Sequence, residues 1–160
     1  MKARIDYEKV SPEVYKRLMP LEHYVHKSGL EESLLELVKM RASQINGCAF
    51  CIDMHSKDAR AKGETEQRLY SLNAWRETPF YSDRERAALA WTEAVTLVTN
   101  GHVPDEVFET VRQHFSDEEI VNLTVAVTMI NTWNRLSIAF RVVPGTYQPP
   151  SQAALASQAN

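Results

Sequence analysis

The chain has 160 residues, 44% hydrophobic and 24% charged, which suits one globular domain with a continuous core and makes a second domain unexpected. Its 18 Lys and Arg stand against 21 Asp and Glu, a formal net charge of -3 with both signs interspersed; the basic footprint that nucleic acid or an anionic membrane requires is missing, so neither partner is expected. The opening MKARIDYEKVSPEVYK holds no apolar signal core, no apolar run nears the roughly 18 residues of a membrane span, and the five glycines build no phosphate-binding loop, so a cytoplasmic protein without a nucleotide cofactor is expected.

Helical periodicity dominates and no apolar-polar alternation bounded by turns is found, so the predicted fold class is all-α, with about six to seven helices. Ser11-Pro12 opens the first, Gly29 closes it, and Pro20 is expected to kink or split it. The second spans about 31–45, with Leu34, Val38, Ala42 and Ile45 on one stripe, and Asn46-Gly47 stops it. A third begins at Cys48 and runs to about Lys62, where Gly63 supplies the left-handed stop. A short helix over 65–75 follows, and Thr78-Pro79 breaks the chain.

Ser82 with Glu85 has the spacing of a capping box, and the helix it opens carries Ala87, Ala88, Trp91, Ala94, Val95 and Val98 to the stop at Asn100-Gly101. Pro104 starts another, ending near His114. A second capping box, Ser116 with Glu119, opens a last helix reaching about Arg141 that is apolar almost all round, so part of it is expected to pack against another subunit. The domain is expected over 1–147, with 148–160 a flexible tail.

Both cysteines of the chain fall within four residues, Cys48 and Cys51. In a reducing compartment such a pair points to catalysis or metal binding. Three apart at a helix start, they share one face within reach of a disulfide, and the helix dipole there favours a thiolate. His55, one turn beyond Cys51, is the natural base, and a hairpin would bring Glu36 of the preceding helix towards it. Zinc is the alternative, held by the pair with His55 or with His23 and His26, although no second CxxC exists. Ile52 directly after Cys51 excludes haem attachment. Trp75, Trp91 and Trp133 read as core or interface anchors, and Asn131, Asn134 and Arg135 as buried hydrogen-bonding groups rather than pocket lining.

Glu36, the run Gly47-Cys48-Ala49-Phe50-Cys51 and His55 together resemble the alkylhydroperoxidase D-like (AhpD-like) family of the carboxymuconolactone decarboxylase-like superfamily. Segment 89–98 and Asn131-Thr132-Trp133-Asn134-Arg135 look like later parts of that family. The resemblance implies an all-α fold assembled into trimers or hexamers without metal or organic cofactor. It implies a peroxidase of organic hydroperoxides, re-reduced by an external dithiol or protein reductant. In that scheme Cys51 attacks the peroxide, Cys48 resolves, and His55 with Glu36 relays protons through water. Helix-dipole reasoning alone favours Cys48 as the thiolate; the base one turn from Cys51 favours Cys51. Phe50 is a departure, because the best-known peroxidase members carry a histidine between the cysteines. Members without the cysteine pair act as decarboxylases, a branch the pair argues against. Two other readings remain: a disulfide reductase or adaptor exchanging with a partner protein, and a zinc-binding scaffold.

Overall fold

Residues 2–149 are described in the computed structural model, and among them there are helices and no strand. The elements are α1 Tyr7–Val10, α2 Pro12–His26, α3 Glu32–Asn46, α4 Ala49–Ala61, α5 Glu66–Ser71, a 3-10 segment Leu72–Glu77, α6 Asp83–Thr96, α7 Asp105–Arg112 and α8 Asp117–Phe140. Both capping boxes form. The Ser82 and Ser116 hydroxyls accept from the backbone N–H of Glu85 and Glu119, whose carboxylates accept from the cap N–H groups in return.

Four details differ from the sequence expectation. The first is α1: one turn, capped by Asp6 and held by the Tyr7 ring 5.8 Å from that of Phe140. Such a segment is too short to stand on propensity and exists through this tertiary contact. Second, α2 continues through Pro20 rather than splitting. Pro20 is exposed, so water can satisfy the carbonyl it leaves unpaired. Third, the helix expected over 65–75 ends at Ser71 and tightens into the 3-10 segment. Fourth, α6 stops at Thr96, and the residues up to Gly101 form turns. The described residues therefore hold eight α-helices, above the six to seven expected.

The stripe of α3 is at the centre, packed against α4, α6 and α8. On one side Leu34, Leu35 and Val38 meet Ala88 and Trp91 of α6 and Leu123, Ala126 and Val127 of α8. On the other, Leu37 and Met40 meet Ala59 of α4, Leu69, Leu72 and Trp75. A smaller apolar group joins Ala42 of α3, Cys48, Cys51 and Ile130 of α8. Among the described residues no helix is long and apolar enough to cross a membrane.

The tail expected over 148–160 lies outside the described residues from 150 onward. The stretch leading into it is tied to α4. Gly145 N–H donates to Asp53 (2.9 Å), Lys57 Nζ donates to the Tyr147 carbonyl (3.0 Å), and the Tyr147 hydroxyl donates to Asp58 Oδ1 (2.7 Å).

Candidate active site

Gly47 ends α3 at φ 68°, a left-handed conformation that glycine adopts without Cβ strain, and the chain turns straight into α4. That tight hairpin puts Cys48 at the N-cap of α4 and Cys51 in its first turn. The sulfurs are 2.8 Å apart, and the Cys51 N–H reaches Cys48 Sγ at 3.4 Å. Both side chains are free thiols, each about 1% exposed. From α8, Ser137 Oγ lies 3.8 Å from Cys51 Sγ. Beside it the fully buried Asn134 donates to Ser43 Oγ (3.0 Å) and accepts from Asn46 (2.8 Å).

A thiolate on Cys48 accepts the Cys51 S–H, the Cys51 N–H and donors from Ser137 and Asn134, and against the cost of burial these bring its pKa down to about 7. The same contact pushes Cys51 up, since its S–H is given to Cys48, it is buried, and a second negative charge would sit alongside. The pair thus releases one proton near neutrality and holds the other.

His55 Nδ1 lies 3.0 Å from Glu36 Oε2, and the other Glu36 oxygen accepts from Lys62 Nζ at 3.0 Å. Burial pushes the Glu36 carboxyl up, but the His55 hydrogen bond and the charges of His55, Lys39 and Lys62 outweigh it, leaving a pKa of about 2. An ionised carboxylate only accepts, so Nδ1 carries the hydrogen and Nε2 is left for proton chemistry. The hairpin brings Glu36 to His55 and leaves His55 without a direct hydrogen bond to either thiol among the described residues.

Cys51, but not Cys48, lines a cavity of about 460 Å³ together with His55 and Glu36. Tyr15, Met19, Phe50, Met54, Ile130 and Trp133 supply apolar wall. Glu22 accepts from Lys39 Nζ (2.6 Å) and from Trp133 Nε1 (2.9 Å), and His26 Nε2 lies 2.8 Å from the same buried ammonium. Despite burial, hydrogen bonding from His26, the Lys39 charge and the bonds from Lys39 and Trp133 hold the Glu22 carboxyl well below its ordinary value. His26 lines the same cavity as Cys51 but its Nε2 is turned to Lys39, and His23 is not among the lining residues. Among the described residues the group able to hold a cation is Glu36, His55 and Asp58, with donor atoms within 4.8 Å of one another. It includes neither cysteine, and the Lys62 ammonium already occupies Glu36. Among the described residues no cysteine belongs to a group of three such donors.

Several residues of the site escaped the sequence reading. Cys51, His55, Asp58 and Lys62 recur at spacings of four, three and four, one polar stripe of α4 that the sequence displays. Lys39, Glu22, Ser137 and Tyr147 carry no comparable signal, because only the packing of α2, α8 and the C-terminal stretch on α3 and α4 brings them in.

The family model of the carboxymuconolactone decarboxylase family matches residues 12–94, a span that contains Glu36, Cys48, Cys51 and His55. The uncharacterized protein YdfG of Bacillus subtilis (strain 168) is 49% identical over 139 residues, 87% of this chain and 95% of that protein. A crystal structure of a protein of unknown function from Agrobacterium tumefaciens, proposed as an antioxidant defence protein AhpD, is 52% identical with a TM-score of 0.88, covering 91% of this chain and 100% of that one. The debrominase Bmp8 shares the fold at 19% identity and a TM-score of 0.77, over 86% of this chain and 74% of that one.

Proposed function

This chain belongs to the carboxymuconolactone decarboxylase family and has the AhpD-like fold, and from that premise we propose that it is a thiol-dependent peroxidase that reduces organic hydroperoxides through Cys48 and Cys51. The observation that carries this reading is the division of labour between the sulfurs: Cys51 opens to a cavity shared with the His55–Glu36 pair, and Cys48 sits behind it at 2.8 Å.

The electrostatics favour the resting charge on Cys48, whereas access favours attack by Cys51. A single proton shared between adjacent sulfurs reconciles them. When it moves to Cys48, the Cys51 thiolate faces the cavity. It attacks the distal oxygen of the hydroperoxide, the O–O bond breaks, and a Cys51 sulfenic acid forms while the alkoxide takes a proton relayed through His55 Nε2 and water. Glu36 fixes the imidazole tautomer and stabilises the imidazolium. Cys48 then attacks the Cys51 sulfur, releasing water and closing the disulfide. In balance, two thiols and ROOH give a disulfide, ROH and water. An external dithiol or protein reductant restores the thiols.

Although both sulfurs are about 1% exposed, the cavity gives a small oxidant a way to Cys51. A homo-oligomer would use the outer side of α8, where Val121 and Ile138 are exposed.

The test is the intact mass of the reduced, metal-free protein after one equivalent of cumene hydroperoxide. The expected result is loss of two hydrogens in wild type and their retention in Cys48→Ser and Cys51→Ser, with a sulfenic acid trapped by dimedone on Cys51 in Cys48→Ser. Wild-type protein unchanged in mass refutes the peroxidase reading; dimedone on Cys48 in Cys51→Ser alone reverses the order of attack.

A further inference from the structure

The cavity that Cys51 lines is unevenly charged. Four carboxylates line it, Glu8, Glu22, Glu36 and Asp58, against two ammonium groups, Lys39 and Lys62, and no arginine among the described residues. Neither ammonium is available to a ligand. Lys39, 3% exposed, is held by Glu22 at 2.6 Å and His26 at 2.8 Å, and Lys62 by Glu32 at 2.9 Å and Glu36 at 3.0 Å. The two imidazoles in the wall are also engaged, His55 through Nδ1 with Glu36 and His26 through Nε2 with Lys39, and among the described residues Glu8 and Asp58 are left without an ion-pair partner. Apart from Cys51, Ser137 and the two imidazoles, the rest of the wall is mainly aromatic, aliphatic and thioether surface, which gains from burying apolar ligand area and asks for no charge.

We propose that this cavity selects uncharged aryl or alkyl hydroperoxides and rejects substrates that carry a carboxylate. The selection rests on the peroxidase reading for its chemistry but not for its physics, because it comes from the fixed charges alone. An anion entering here leaves water for a site whose surplus charge has its own sign, and neither lysine can turn to meet it without breaking an ion pair. The same argument sets this chain apart from a decarboxylase in its own family, since a substrate that is to lose a carboxylate must first be bound as one. An uncharged ligand avoids the penalty and can present its peroxide oxygen to Cys51 and His55.

The test compares, by calorimetry on the reduced full chain, two ligands that cannot be reduced: 2-phenylpropan-2-ol and its para-carboxylate. The neutral alcohol is expected to bind roughly 20-fold more tightly, a ratio that contracts as salt is raised from 0.02 to about 1 M. In Glu22→Gln, and separately in Glu8→Gln at the exposed end of α1, the neutral-to-anion ratio is expected to fall several-fold. A within-protein ratio is insensitive to the fraction of each variant that folds. Equal or tighter binding of the carboxylate, a ratio indifferent to salt and to both substitutions, or no binding of either ligand overturns the proposal. If the discrimination is found and cumene hydroperoxide still leaves the thiols reduced, charge selection stands and the peroxidase reading alone fails.

Discussion

Replacing Glu36 by Gln removes one charge from a 3% exposed site and changes little else in shape, since the amide oxygen can still accept from His55 Nδ1. The carboxyl is held at about 2 against an ordinary 4.5, and a depression of that size at 1.36 kcal/mol per pH unit corresponds to about 3 kcal/mol. A carboxylate whose folded pKa is depressed stabilises the fold fully above its unfolded value, and the contribution is lost as pH falls from about 4.5 towards 2. Glu36→Gln is therefore expected to be about 3 kcal/mol less stable than wild type at pH 7, and the gap is expected to narrow to about 1 kcal/mol at pH 2.5, closing only below about pH 2. In urea, with a slope of about 2 kcal/mol/M, the midpoint at pH 7 should fall by about 1.5 M. Denaturation at pH 7, 5, 4, 3 and 2.5 gives both curves. A gap under about 0.5 kcal/mol at pH 7, or one that stays constant down to pH 2.5, refutes the claim that the His55 and lysine contacts stabilise an ionised Glu36.

Tyr147→Phe removes the hydrogen bond to Asp58 and with it one of the anchors of the C-terminal stretch; a loss of about 1 kcal/mol and a Tm lower by about 2–4 °C are expected by calorimetry, and an unchanged Tm would show that the phenol does not fix this segment. Thiolate absorbance at 240 nm should titrate with a midpoint near 7 for the first proton of the pair. Ser137→Ala deletes a hydroxyl that favours the thiolate form of both sulfurs, so the midpoint should move up by about 0.3 pH units, and a downward shift contradicts the assigned donor role.

What was legible from sequence follows from how local each determinant is. Helix ends written in side chains within four residues were placed well: the boxes at Ser82 and Ser116, the left-handed Gly47 and the dithiol at the start of α4. Their hydrogen bonds close inside one turn, so distant packing has little power to move them. The one-turn α1 and the continuity of α2 through Pro20 were not legible. The first depends on an aromatic contact 133 positions away, and the second on the exposure of one proline.

The candidate site divides in the same way. The sequence by itself determined the dithiol, the histidine one turn on and a glutamate one helix back, because the hairpin that joins them spans 20 residues and is closed by a single left-handed glycine. Only the tertiary structure decided that Cys51 rather than Cys48 opens to a cavity, that Glu36 stays ionised although buried, and that Lys39 and Lys62 are already spoken for. Those facts concern solvent access and the sum of charges from α2, α3, α4, α8 and the C-terminal stretch. Coulomb energy and desolvation act through space, so they are set by which chain segments meet and not by their order along the chain.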